Sequence, residues 1–360
     1  MARQWILSNQ DGFETALEYQ QNVRVPLANE LGPNEVLVKI HAASLNYREL
    51  VIAGPVGING PITPPIVPAC DGAGIVEAVG KSVQEFRPGD RVVMHLAPLL
   101  AETSGDDAFA SVADVPRMLG QGTDGTLRSK GVFSEKALVH APASLDWLPA
   151  ATLTCTWLTA WNALFGLKTR EAGPGTWVLV QGTGGVSIAV LQLAVAAGAT
   201  VVATTSTQDK ADRLKKLGAT HTINYRSDPE DWGQKARQLT PEGRGFDIVV
   251  DVGGNQTLPQ SLAAVRVDGI VTVVGGVGES ANAVPLFSVL FHACMVRGFL
   301  GGSRSQFQEL VRYIDANGIV PVVDDVVFEL SEAKDAYRRL KEKKHFSKIV
   351  IRVDHPDSEI

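Results

Sequence analysis

The chain has 360 residues, 45% hydrophobic and 20% charged, a composition suited to roughly two folded domains of about 150 residues each. Its 33 basic and 39 acidic residues leave a formal net charge of −6, so it carries no basic footprint for nucleic acid. Three cysteines, Cys70, Cys155 and Cys294, are too few and too scattered for a disulfide framework, which points to a reducing, cytoplasmic setting.

The opening Met1-Ala2-Arg3-Gln4-Trp5-Ile6-Leu7-Ser8-Asn9 breaks its apolar run almost at once, unlike a secretory signal. Up to about Val139 the chain reads as short β-rich runs between turn signals. Residues 35–41 alternate as a half-buried strand after Gly32-Pro33-Asn34, and 74–80 and 90–94 are further strands. Arg87-Pro88-Gly89-Asp90 between the last two is turn chemistry. Many short strands with Gly and Pro punctuation predict a partly open β-barrel. Residues 95–131 show weak periodicity and read as a functional loop or surface excursion.

Beyond about Trp157 strands and helices alternate. A buried strand at 176–181 is followed by an apolar helix at 186–197 that Gly198 ends, and then a strand at 200–205. Gln192, Gly198 and Thr200 interrupt this apolar region, so a helix and a strand are expected there and not a membrane span. A charged helix at 209–217 and strands at 222–225, 246–251 and 269–274 complete the pattern of a doubly wound parallel sheet. Residues 304–340 hold two helical patterns, 348–353 a last strand, and 354–360 an irregular tail.

The sharpest motif is Gln181-Gly182-Thr183-Gly184-Gly185-Val186-Ser187, a glycine turn between a strand and a helix. Gly182 permits the tight turn, Gly184 lets the backbone approach a pyrophosphate, and the N–H groups at the start of the helix hold the anion. Ser187 stands where the dinucleotide fingerprint has its third glycine, and no Lys-Ser or Lys-Thr follows as in a P-loop. NAD-binding units end the next strand with an acid that bonds the ribose 2′-hydroxyl. Here the strand ends Ala203-Thr204-Thr205-Ser206-Thr207-Gln208, with no carboxylate before Asp209. Ser206 and Lys210 suit a 2′-phosphate, so NADP(H) is the expected cofactor; the alternative is that Lys210 is a solvated residue of its helix.

Together these pieces resemble the medium-chain dehydrogenase/reductase superfamily. Carrying the resemblance are Gly32-Pro33-Asn34-Glu35-Val36, Ser44-Leu45-Asn46-Tyr47-Arg48, Asp71-Gly72-Ala73-Gly74, Arg87-Pro88-Gly89-Asp90-Arg91-Val92, Thr159-Ala160-Trp161-Asn162, the glycine turn and Ser347-Lys348-Ile349-Val350. Within that superfamily the chain is most similar to the zinc-independent quinone and enone reductases. The resemblance implies a GroES-like barrel domain over 1–156, completed by 301–360, and a Rossmann domain over 157–300, with a nicotinamide cleft between them. It further implies that Asn46, Tyr47 and Thr159 lie at the nicotinamide and that Tyr225 flanks the 2′-phosphate. Lys348 would approach the pyrophosphate, and Gly275, Phe299 and Leu300 would line the nicotinamide end.

Zinc members of the superfamily carry Cys where Asn46 stands, His where Cys70 stands, and Cys at the position of Cys155. An amide is a poor zinc ligand, so no metal is expected, and small packing residues are the reading of both thiols. A metal held by Cys70, Cys155 and Asp71 is the alternative. The four clustered cysteines of a structural zinc are missing from 95–131, and no H-E-x-x-H or G-x-S-x-G is present. Without a metal, a substrate oxygen needs hydrogen-bond donors, and Asn46 and the Tyr47 hydroxyl are the candidates; either can equally be a packing residue.

The sequence therefore predicts an NADPH-dependent, zinc-independent reductase acting on an enone C=C or a quinone. Alcohol or aldehyde oxidation without metal is the first rival, and a non-catalytic NADPH-binding protein the second. The expected partners are a small-molecule substrate (enone, quinone or aldehyde) and a second copy of the chain. The resemblance assigns the dimer contact to the apolar stretch at 284–291, after the last strands of the sheet; a buried packing segment of a monomer is the competing reading.

Overall fold

Turns rich in Gly and Pro cut the chain into short extended runs, and these become fifteen strands among the residues that the computed structural model describes: 1–57, 59–278 and 282–354. In chain order they are β1 (Ala2–Leu7), β2 (Leu17–Val23), β3 (Glu35–Leu45), β4 (Asp71–Val79), β5 (Arg91–Met94), β6 (Lys130–Ser134), β7 (Leu138–His140) and β8 (Trp177–Gln181). There follow β9 (Thr200–Thr205), β10 (His221–Asn224), β11 (Phe246–Asp251), β12 (Val265–Val273), β13 (Met295–Gly298), β14 (Val323–Glu329) and β15 (Lys348–Arg352). Contacts divide the chain into two units, Met1–Leu158 with the chain from Gly301 onward, and Thr159–Leu300.

The first unit is built on a sheet in the order β14-β15-β3-β4-β5-β7, with β6 also pairing with β3. Alternation in the sequence predicts β3 only to His41, yet the strand runs on to Leu45. Beyond His41 it pairs with β4 on one side and β15 on the other, Ser44 facing Asp71 and Val350. A strand covered on both edges and faces loses its polar alternate positions, and Ala42-Ala43-Ser44-Leu45 is buried throughout. The turn before β5 behaves as its residues dictate: Gly89 takes a φ of +96°, Arg87 N–H donates to the Asp90 carboxylate at 2.8 Å, and Asp90 N–H donates to Arg87 O at 3.1 Å.

Residues 95–131 are structured. They hold a helix at Pro98–Ser104 and a 3-10 segment at Val112–Arg117, and they bury Leu96, Val115, Met118, Leu119 and Leu127 in the core of the unit. Elements this short are below the length at which helical periodicity can be read. The tail contains the two expected helices, Arg304–Asn317 and Ala333–Lys341. Between them runs β14, which the sequence analysis did not anticipate. Its pattern is broken by Asp324, a buried carboxylate that accepts from Arg339 and from Phe346 N–H. The expected irregular tail beyond Asp354 lies outside the described residues.

In the second unit six strands form one parallel sheet in the order β10-β9-β8-β11-β12-β13. This order reverses at β8, the topology of a doubly wound nucleotide-binding sheet. The helix after β8, Gly185–Ala196, is apolar on nearly every side because it is buried on nearly every side. One expectation needs correction here. The apolar stretch at 284–291 does not follow the last strand; β13 comes after it and forms the edge of the sheet. Among the described residues, no helix is long and apolar enough to cross a membrane.

Candidate functional site

The second unit gathers the expected coenzyme residues by a single geometric rule: each stands just past the carboxyl end of a parallel strand. Gly182 to Val186 follow β8, Ser206 follows β9, Tyr225 follows β10, Gly275 follows β12, and Phe299 and Leu300 follow β13. Open α/β sheets bind ligands at these ends, where the strand order reverses. Gly182 adopts a φ of +76°, a conformation that favours glycine, and its N–H donates to Thr204 O at 3.0 Å. A Cβ added at Gly182 or Gly184 would meet nothing within 4 Å, so the backbone here faces open space as a phosphate cradle requires. Ser187 fits the third glycine position because its buried hydroxyl donates back to Gln181 O at 2.6 Å.

At the end of β9, Thr207 caps the helix Gln208–Lys216 by accepting from Lys210 N–H. The parallel register sets Asn224 beside Thr205, and Tyr225 N–H donates to Thr205 O at 3.0 Å. Ser206, Lys210 and Tyr225 thus share one corner. The buried Thr205 hydroxyl in this corner has no hydrogen-bond partner among the described residues. Sequence reasoning missed Arg226, an exposed cation next to Tyr225. It also missed Asp251 at the end of β11, whose buried carboxylate accepts from Gly253 N–H, Gly254 N–H and Thr257 Oγ1 at 2.9–3.0 Å and 2.8 Å. A strand-end acid followed by Val252-Gly253-Gly254 is the signal that could have found it. Val274 N–H, leading into the Gly275 turn, donates to Asp251 O at 2.9 Å, so this acid organises two neighbouring strand ends.

Thr159, at the start of this unit, is buried in the helix Leu158–Phe165. Phe299 is half-buried and carries the Arg297 guanidinium 4.4 Å above its ring, while Leu300 is exposed.

The first unit holds a different arrangement, a buried cluster of side chains drawn from distant parts of the chain. Asn46 lies between the end of β3 and the helix Tyr47–Ala53; its N–H donates to the Glu49 carboxylate at 2.6 Å. Asn46 Nδ2 donates to Cys70 Sγ at 3.6 Å, and Cys70 Sγ lies 3.5 Å from Asp71 Oδ1. The same carboxylate oxygen accepts from Cys155 N–H at 3.0 Å. The hydrogen bond with Cys155, added to burial, raises the Cys70 thiol well above its ordinary range. Burial likewise raises Glu49, with the Arg48 charge opposing it. Tyr47 is not part of this packing and is 44% exposed.

Lys348 joins this cluster from the far end of the chain. The resemblance implies that it approaches a pyrophosphate; in this structure its side chain is only 2% exposed and lies inside this cluster. Its ammonium donates to Leu45 O at 2.6 Å and to Asn46 Oδ1, and it pairs with the Asp71 carboxylate at 2.9 Å. The physical reason is the register of β15 on β3, which sets Lys348 next to the end of that strand. An ammonium has three N–H donors and needs a counter-charge when buried, and this cluster supplies both acceptors and carboxylate.

The donor set does not fit zinc. The position of the first zinc ligand carries an amide, Asn46, and Lys348 already places a cation 2.9 Å from the Asp71 carboxylate. Among the described residues, no group of three or more His, Cys, Asp and Glu is arranged to hold a metal ion.

A barrel unit joined to a doubly wound parallel sheet with a glycine turn at its switch point defines a nucleotide-dependent oxidoreductase fold. Family models agree: residues 32–147 match the alcohol dehydrogenase GroES-like domain, and residues 185–316 match the zinc-binding dehydrogenase domain. A zinc-type alcohol dehydrogenase-like protein of Schizosaccharomyces pombe is 42% identical over 90% of this chain and 92% of its own length. A 2-haloacrylate reductase of Burkholderia is 30% identical over 70% of this chain and 68% of its own. The crystal structure of an NAD-dependent alcohol dehydrogenase superposes with a TM-score of 0.84 at 32% identity, covering 98% of this chain and 100% of that one. The chain belongs to the medium-chain dehydrogenase/reductase superfamily.

Proposed function

We propose that this oxidoreductase uses NADP(H), works without zinc, and reduces the electron-poor C=C of an enone or a quinone. The observation that carries the reading is the corner at the ends of β9 and β10. There the usual carboxylate is replaced by Thr205-Ser206-Thr207, with Lys210 and Tyr225 alongside. An acid at that place would repel a 2′-phosphate; a hydroxyl and an ammonium favour it by charge-assisted hydrogen bonds. Arg226 adds a further cation. The N–H groups at Gly182 to Val186 would take the pyrophosphate, and Gly275, Phe299 and Leu300 the nicotinamide end. When bound, the reduced nicotinamide supplies the hydride.

The chain's own contribution to the acceptor is a hydrogen-bond donor. Asn46 presents an amide, and the exposed Tyr47 hydroxyl, one residue on, can take or give the proton that balances hydride transfer. Reduction of a C=C also accords with the 2-haloacrylate reductase among the relatives.

The test is to follow NADPH consumption against a panel of quinones, α,β-unsaturated ketones and aldehydes, with and without a zinc chelator. Turnover with enones or quinones that the chelator leaves unchanged is the expected result. Turnover only with simple aldehydes would favour alcohol/aldehyde chemistry, the reading that the 42% identical relative suggests. Coenzyme binding with no turnover on any acceptor would leave a non-catalytic NADPH-binding protein.

We also infer a homodimer. Leu286 and Phe291 are 84% and 79% exposed, Phe287 and Leu290 are exposed beside them, and β13 next to them is a sheet edge with one neighbour. Light scattering at low concentration is expected to give twice the mass of one chain, and a single-chain mass would reject the pairing.

A further inference from the structure

Lys348 lies within a cluster where a chain with fewer constraints would carry an apolar residue. Burying an ammonium is costly unless several groups are arranged around it. The arrangement is specific: two hydrogen bonds run to Leu45 O and Asn46 Oδ1, and one carboxylate, Asp71, stands 2.9 Å away. Its consequence falls on Asn46. With the amide oxygen turned to the ammonium, the amide nitrogen must turn the other way, and there it donates to Cys70 Sγ. Nδ2 carries two hydrogens, and Cys70 accounts for one.

The Asn46 backbone is fixed as well, since its N–H donates to Glu49 and its carbonyl accepts from Glu49 N–H at 3.1 Å. Asp71 and Cys70 are fully enclosed, while Asn46 keeps 6% of its surface open at the first turn of the helix Tyr47–Ala53. A positive charge on the amide oxygen draws electrons from the nitrogen and makes its remaining N–H a stronger donor, because hydrogen bonds in series polarise one another. The cation thus acts through the amide on whatever accepts from it.

We propose that Lys348 is a positioning residue that fixes and polarises the Asn46 side-chain amide, making Asn46 Nδ2 the donor offered to a substrate carbonyl or quinone oxygen. This rests on the reductase reading above and gives Asn46 the role that a metal would otherwise fill. It also separates Lys348 from coenzyme binding.

The experiment compares wild type, Lys348→Met, Lys348→Arg, Asn46→Ala and the double variant Asn46→Ala/Lys348→Met. NADPH dissociation constants and steady-state kinetics are measured for each. Lys348→Met is expected to lower kcat about tenfold, the scale of one hydrogen bond to a charged group, with NADPH affinity changed by less than about twofold. Lys348→Arg is expected to recover part of the loss. In the Asn46→Ala background, Lys348→Met is expected to have no further effect on kcat, because the two residues act as one unit. Weakened NADPH binding that accounts for the whole loss would overturn the proposal and return Lys348 to the pyrophosphate. Losses that multiply in the double variant would overturn it too.

If Lys348→Met fails to fold because Asp71 is left as a buried unpaired charge, Lys348→Met/Asp71→Asn removes both charges and is read against Asp71→Asn in the same way. Should wild type bind NADPH yet reduce no acceptor, the reductase reading fails, and the positioning claim is read from NMR. The Asn46 side-chain amide hydrogens should then exchange slowly with solvent in wild type and about tenfold or more faster once Lys348 is replaced, with equal rates overturning it.

Discussion

The coenzyme corner of the second unit and the buried cluster of the first are built on opposite principles. In the former the groups proposed to face the coenzyme are mostly backbone: glycine N–H groups, strand ends and a helix N-terminus, with side chains confined to Ser206, Lys210 and Tyr225. In the latter side chains lead, with Leu45 O, Asn46 N–H and Cys155 N–H as backbone partners. Asn46, Glu49, Cys70, Asp71, Cys155 and Lys348 come from four separate segments, and the pairing of β3, β4 and β15 in a fixed register brings Asn46, Asp71 and Lys348 together. A backbone site tolerates change around it but not at its glycines; a side-chain site tolerates neither a lost charge nor a lost partner.

That contrast is open to direct attack. Gly182→Val should disable the coenzyme site most severely, because the residue has a φ of +76° and its missing side chain leaves open space for an anion. Loss of NADPH affinity on the order of 100-fold, about 3 kcal/mol, is expected by titration, with circular dichroism unchanged. Retained affinity would mean that the turn does not cradle the pyrophosphate.

A second prediction concerns the first unit and its buried imidazole. His95 has a pKa lowered from 6.5 to about 4, chiefly by burial, so in the folded state it takes up its proton later than in the unfolded chain as pH falls. The unfolded state binds more protons between these values, so stability is complete above 6.5 and declines as pH falls towards 4. From pH 6.5 to 5 this group alone should cost about 2 kcal/mol, measured by urea unfolding against His95→Gln, which should show a shallower decline. Parallel declines in the two proteins would remove His95 from the account.

How much of this was legible in the sequence follows the same division. The glycine turn, the strand that ends without an acid and the alternating strands and helices are local signals, and local signals survive in a linear text. The doubly wound parallel sheet followed from them. The place of Lys348 did not. Its contacts with Asn46 and Asp71 span more than 270 residues, and only strand pairing reveals them. The Asp251 network was hidden in part because a buried acid is read from a sequence as a solvated one. β14 was missed because Asp324 interrupts its pattern, although Arg339 supplies the counter-charge that lets it be buried. The helix at Pro98–Ser104 was missed because it is short. For Lys348, Asp251 and Asp324 an ion pair or a hydrogen bond made elsewhere overrides what the local residues suggest.

The smallest expected effect is also the most direct measure of the central claim, that the corner of Ser206, Lys210 and Tyr225 is built for a 2′-phosphate. Dissociation constants for NADPH and NADH would be measured side by side on the wild-type protein and on Lys210→Ala. NADPH is expected to bind at least about tenfold more tightly than NADH to wild type, and Lys210→Ala is expected to remove most of that preference while leaving NADH affinity unchanged. Equal affinities in the wild type, or a preference for NADH, would contradict it.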